Sequence, residues 1–104
     1  MTYGKALTAL ADPTRRSLFE RLRRRPQAVG ELTRWAGISQ PAVSQHLRVL
    51  RDARLVAHRR DGTRHVYHAT PDGLAELKAY LEAMWDDVLQ AYQDSFEDPH
   101  RKTR

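Results

Sequence analysis

Residues Ile38 to Leu50, Ile-Ser-Gln-Pro-Ala-Val-Ser-Gln-His-Leu-Arg-Val-Leu, constrain this chain more than any other stretch. Ser39 is placed to N-cap a helix, because its hydroxyl can accept a backbone N–H that a helix start leaves free. Pro41 follows in the first turn, where its missing N–H costs nothing. Val43, Leu47 and Leu50 then recur at i, i+4 and i+7 and make one apolar face. Gln40, Ser44, Gln45, Arg48 and Arg51 fall on the other side, which is short, polar and cationic. Just upstream, Val29–Ala36 carries a short helical pattern that Gly37 breaks, since glycine takes a left-handed C-terminal position without steric cost. Helix, short turn, second helix is the layout of a helix-turn-helix, whose second helix enters the major groove of DNA. Glutamine can pair bidentately with adenine and arginine with guanine, so the polar face suits base edges and phosphates.

A polar, cationic helix face can also be nothing more than solvated surface, and the charge distribution weighs between the two. The 104-residue chain has a formal net charge of +5. Residues 1–70 hold 14 Lys/Arg against 5 Asp/Glu, whereas residues 71–104 hold 4 against 8. The positive field thus sits on the half with the reading helix, as expected of a polyanion binder. The length suits one small domain. With no cysteine, disulfides, thiolate metal sites and cysteine nucleophiles are excluded together, and a reducing cytoplasmic setting is expected. No signal-like leader and no stretch long enough to span a membrane is apparent.

Other segments punctuate clearly. Thr2–Ala11 predicts a first helix, with Leu7 and Leu10 on one side. Asp12-Pro13 is a boundary, and Asp12 can cap a second helix over Pro13–Arg25 with Leu18, Phe19 and Leu22 as its stripe. The arginines at its end complement the helix dipole, with phosphate contact as the alternative. Leu55–Arg60 and Arg64–Ala69 flank Asp61-Gly62-Thr63, a hairpin signal with Arg59, Arg60 and Arg64 at its tip. A basic hairpin after a recognition helix reads as a wing that pairs with phosphates. Centred on Asp61-Gly62, its turn would set His58 opposite His65, with His68 on the other face. From Pro71 a last helix runs to about residue 97. Leu74, Leu77, Leu81, Met84 and Val88 form its stripe, widened by Tyr80, Trp85, Leu89, Tyr92 and Phe96. That exceeds what a small head needs, so a partner helix is expected, with Leu7, Leu81, Met84, Trp85, Val88, Leu89 and Tyr92 at a homodimer interface.

Ala-Asp-Pro-Thr-Arg-Arg at 11–16, Val-Gly-Glu-Leu at 29–32, the whole of 39–50 and Leu-Val at 55–56 resemble the ArsR/SmtB family of bacterial winged-helix repressors, over roughly residues 5–93. The resemblance implies a dimer built from the first and last helices, two reading heads on a pseudo-palindromic operator, and repression by occupying promoter DNA. Many members sense metals. Their Cys-Val-Cys-Asp-Leu segment falls on Ala28-Val29-Gly30-Glu31-Leu32, and the last helix offers Glu82, Asp86 and Asp87 but no histidine. The wording Pro-Ala-Val-Ser-x-His-Leu and Trp85-x-x-x-Leu89 are closer to a metal-independent subgroup. Where the family commonly has glycine before Leu-Val, this chain has Arg54, which would cost about 1 kcal/mol if the backbone there is left-handed.

The expected fold is mainly α with a two-stranded β wing, a winged helix-turn-helix dimerising through its terminal helices. Residues 1–97 would form the single domain (reading helix 39–53, wing 55–69, dimerisation helix 71–97), followed by a polar tail at 98–104. Ser39, Gln40, Ser44, Gln45 and Arg48 are the candidates for the major groove, and Arg59, Arg60 and Arg64 for phosphates. The partners are a double-stranded DNA operator and a second copy of the chain, with an organic inducer open and no cofactor or metal expected. His46 reads as structural support, and two wing imidazoles fall short of the three or four ligands zinc takes. No serine lies in a Gly-x-Ser-x-Gly elbow and no phosphate-binding glycine loop occurs, so no enzyme is expected. The competing readings are a winged-helix protein-interaction module, which would not need the basic head, and a metal- or ligand-gated sensor. Trp35 and Trp85 read as packing residues, with an aromatic pocket at Tyr80, Trp85 and Tyr92 as the alternative.

Overall fold

The computed structural model describes residues 2–97. Helix α1 (Thr2–Ala11) and helix α2 (Pro13–Arg24) come first, then strand β1 (Gln27–Ala28), helix α3 (Val29–Ala36) and helix α4 (Gln40–Asp52). Strands β2 (Val56–Asp61) and β3 (Arg64–Ala69) follow, and helix α5 (Asp72–Glu97) closes the order. The boundaries follow from local chemistry. Asp12 stands in extended backbone, and its carboxylate accepts N–H bonds from Thr14 at 2.8 Å and Arg15 at 3.0 Å. These bonds, the Arg15 one foremost, hold its carboxyl below the ordinary aspartate range. Pro13 enters the first turn, and α2 ends at Arg24, one residue before the expected limit.

The sheet is antiparallel, in the order β1-β3-β2. β1 adds a third strand to the expected two-stranded wing: two residues that pair Gln27 with Tyr67 and Ala28 with Val66. The hairpin register also differs from expectation. Asp61 pairs with Arg64, so the turn centres on Gly62-Thr63, and Gly62 takes φ 66° at the first central position. His58 therefore faces Tyr67, and His65 faces Arg60. The shift moves each partner by two residues, an even number, so every side chain keeps its expected face.

Leu18, Leu32, Val43, Leu47, Leu50 and Leu55 are wholly buried and form the centre of the core, with Phe19, Leu22 and Val56 around them. On α1 the inward residues are Ala6 and Ala9, both fully buried, while Leu7 points outward. Helix α1 packs against α5, α2 and α4. The first half of α5 packs on the head through Leu77 and Tyr80, and its second half leaves it, which accounts for extents of 68 × 23 × 23 Å. No helix among the described residues is long and apolar enough to cross a membrane.

Arg54 joins α4 to the wing in a left-handed conformation, φ 61°. Its N–H donates to Arg51 O at 2.9 Å, and Leu55 N–H donates back to Leu50 O at 3.0 Å, the paired bonds of a Schellman ending. A non-glycine residue there costs about 1 kcal/mol. The side chain offsets part of that through ion pairs with Asp72 at 3.4 Å and Glu76 at 3.6 Å. Its carbonyl accepts from Gly73 N–H at 2.8 Å and from Thr70 Oγ1 at 2.9 Å. Glycine at 73 is required for this approach, since a Cβ there would lie 2.3 Å from Ala53 O.

Candidate nucleic-acid interface

Helix α3 ends on Gly37 at φ 70°, whose N–H donates to Thr33 O at 3.1 Å. Ser39 then caps α4, its Oγ accepting from Ala42 N–H at 3.3 Å. The cap and the glycine together set the angle at which α4 leaves the turn. Val43, Leu47 and Leu50 anchor one face of α4 in the core, and Gln40, Ser44, Gln45, Arg48 and Arg51 are left exposed on the other. His46 lies at the flank, half-buried, with its Nδ1 buried and unpartnered.

A groove of about 790 Å³ runs between α3, α4 and the wing, lined among others by Gln40, Ser44, Arg34, Arg51, His58 and Arg64. Gln40, Ser44 and Arg64 thus share one concavity. Gln45 and Arg48 are on the same helix but outside it, and Arg59 and Arg60 are exposed on β2. Arg60 bends back, its Nε donating to Gly62 O at 3.4 Å. Arg64 is engaged by Glu31 of α3 at 3.3 Å, which ties the wing to the helix-turn-helix. Glu31 is held in turn, its carboxylate accepting the Ala28 N–H at 2.9 Å. Ala28 has no side-chain acceptor, so only this half of a capping box forms. The Ala28 bond first, and the arginines around it second, keep the Glu31 carboxyl below its ordinary range.

Arg34 also lines the groove, although it is not among the residues expected from the sequence. Its place four residues after Gly30 on α3 was the available signal, because both then share a helix face. Arg51 and the wing histidines His58 and His65, separate in the sequence, meet in this groove. Arg51 reaches His58 Nε2 at 2.7 Å, His58 Nδ1 lies 3.4 Å from His65 Nδ1, and the His58 ring stacks on Tyr67 with centroids 5.1 Å apart. Burial first, then the charge of Arg51, lowers the His58 pKa, so the ring stays neutral near pH 7. At the positions of the family's thiolate pair, Ala28 presents a buried methyl and Gly30 no side chain, which does not fit a metal. Among the described residues no three His, Asp or Glu converge as a metal would need.

The expected dimer residues are all exposed: Leu7 on α1, and Leu81, Met84, Trp85, Val88, Leu89 and Tyr92 on α5. Trp85 is 65% exposed and Tyr92 61% exposed, while Tyr80 packs against the core. Tyr92 meets Phe96 edge-on at 4.7 Å. These aromatics are spread along the helix and do not enclose the pocket considered as an alternative. Trp35, expected to be a packing residue, is 44% exposed, with the Arg21 guanidinium 4.8 Å from its ring centroid.

A family described as a helix-turn-helix domain matches residues 10–59. The HTH-type transcriptional regulator Rv2034 of Mycobacterium tuberculosis is 53% identical over 88 residues, which span 85% of this chain and 82% of that protein. Among solved structures, an ArsR-like transcriptional regulator from Rhodococcus sp. RHA1 superimposes with a TM-score of 0.75 at 28% identity, covering 89% of this chain and 91% of the other. Mb0332 of Mycobacterium bovis, described as a homodimeric winged helix-turn-helix DNA-binding domain, superimposes with a TM-score of 0.67 at 27% identity, covering 86% and 83%.

Proposed function

The chain belongs to the ArsR/SmtB family of winged helix-turn-helix transcriptional regulators, and we propose that it acts as a homodimeric repressor that occludes a promoter without a thiolate metal switch. The observation that carries this reading is the division of α4. Its apolar face is consumed by the core, and its exposed face holds two glutamines, a serine and two arginines beside a basic wing. In this reading Ser39, Gln40, Ser44, Gln45 and Arg48 meet the major groove. Arg59, Arg60 and Arg64 meet phosphates, with Arg64 exchanging Glu31 for a phosphate or holding the wing in place. Residues 1–97 act as one unit, and the polar tail at 98–104 lies outside the described residues.

The dimer in this proposal joins α5 to its symmetry mate, with Leu7 of α1 beside it. The spacing of Leu81, Met84, Trp85, Val88, Leu89 and Tyr92 supports it, since steps of three and four residues keep one stripe toward a partner helix. Mb0332, which is homodimeric, adds support. Two heads would then read half-sites about one helical turn apart. The test is fluorescence anisotropy with chelator-treated protein, the duplex upstream of its own gene and a scrambled duplex, at several salt concentrations. Selective binding by about a thousandfold or more is expected. Equal, weak and steeply salt-dependent binding to both duplexes would reduce the basic face to a general electrostatic patch and overturn the reading.

A further inference from the structure

A second cationic groove, of about 450 Å³, lies between the C-terminal half of α2 and Trp35 at the end of α3. It shares no lining residue with the reading groove. Arg16, Arg21, Arg24 and Arg25 line it against one carboxylate, Glu20, and Arg23 already holds that carboxylate at 2.8 Å. Arg24 and Arg25 have no ion-pair partner among the described residues. Two of the guanidiniums are held by neutral groups. Arg16 donates to Leu10 O at 2.9 Å, and Arg21 Nε donates to Gln27 Oε1 at 3.2 Å while its plane covers Trp35. Gln27 is itself 3% exposed, so the fold fixes the group that orients Arg21. Complementing the α2 dipole explains cations here. It does not explain a concavity, or an indole that stays 44% exposed beside the guanidinium over it.

We propose that this groove is a binding site for a small aromatic carboxylate. The planar ring of such a ligand would lie against the part of Trp35 that Arg21 leaves exposed, and its carboxylate would take the terminal N–H groups of Arg21 and the N–H fork of Arg24. The volume falls within the range of small-molecule sites. Charge alone would recruit any anion, and the indole is what selects an aromatic one. The proposal is independent of the repressor reading, because it concerns the free protein and its test contains no DNA.

The experiment is an NMR titration of the full chain with 2-naphthoate and, separately, inorganic phosphate, following the indole N–H signals of its two tryptophans. Naphthoate should shift the Trp35 signal saturably and leave that of Trp85 in place. Phosphate should bind at least about tenfold more weakly. Arg24→Gln, at an exposed position, should weaken naphthoate by about tenfold or more, the scale of one charge-assisted hydrogen bond. Arg21→Gln should do the same and also loosen Gln27. An unmoved Trp35 signal would overturn the proposal. So would phosphate binding as tightly as naphthoate, which would leave an unselective anion site.

Discussion

Exposed side chains of the reading helix and of the wing do different work, and in the repressor reading this separates Gln45 of α4 from Arg60 of β2. Gln45 carries a planar amide able to make two bonds to one base edge. Removing it in Gln45→Ala should cost about 1–3 kcal/mol on the preferred duplex and little on others. Arg60 is a charge near the wing tip. Arg60→Ala should weaken all duplexes alike and flatten the dependence of log affinity on log salt by about one unit. Anisotropy titrations over salt and over base-substituted duplexes measure both effects. Equal losses from the two changes on every duplex would remove the distinction. Arg54 shows the same scale acting on structure. The left-handed backbone follows from where α4 must stop, and the residue tolerates it through its ion pairs with α5.

Elements here are joined by few polar contacts, and Glu31 carries two of them: it caps α3 at Ala28 and holds Arg64 of the wing. Its carboxyl pKa is lowered in the folded chain, so its contribution to stability is fully present above the unfolded value. That contribution is lost as pH falls through the folded one. Wild type should therefore exceed Glu31→Gln in urea midpoint at neutral pH. The gap should narrow as pH drops below 4.5, the ordinary glutamate value, and close once the folded-state group is protonated. A gap that stays constant through acid would mean that the charge on Glu31 does not matter and that only its shape does. The wing itself depends on such joints, since an isolated hairpin is marginal in water, and β1 and α3 brace β3 from one side.

The whole molecule is a head with a helix extending from it. Beyond Tyr80, α5 leaves its large apolar side chains in solvent, with Trp85, Val88, Tyr92 and Phe96 each more than half exposed. Trp85→Asp places a charge in the middle of that stripe. Sedimentation equilibrium should give the 12.0 kDa monomer where wild type gives twice that mass. The variant should also bind a single half-site nearly as wild type does while losing the gain from a full site. A dimer that survives Trp85→Asp unchanged would show that the copies meet elsewhere.

Much of this protein was readable from local chemistry. Asp12-Pro13, Ser39 with Pro41, and Gly37 mark helix ends because caps act within a few residues of themselves. The inner face of α4 follows from a period of 3.6 alone. The faces of the wing were legible for the same reason, since strand alternation survives an even shift in register. The register itself was not, because Asp61-Gly62 and Gly62-Thr63 both suit a two-residue turn and cross-strand packing chooses between them. β1 was invisible: two residues have no period of their own and become a strand only when β3 lies beside them. The grouping of Arg34, Arg51, His58 and Arg64 in one groove, and of Arg21 with Gln27 and Trp35 in another, is likewise a product of the tertiary fold. Residues far apart in sequence meet only when the core draws their elements together, and no local rule encodes that distance.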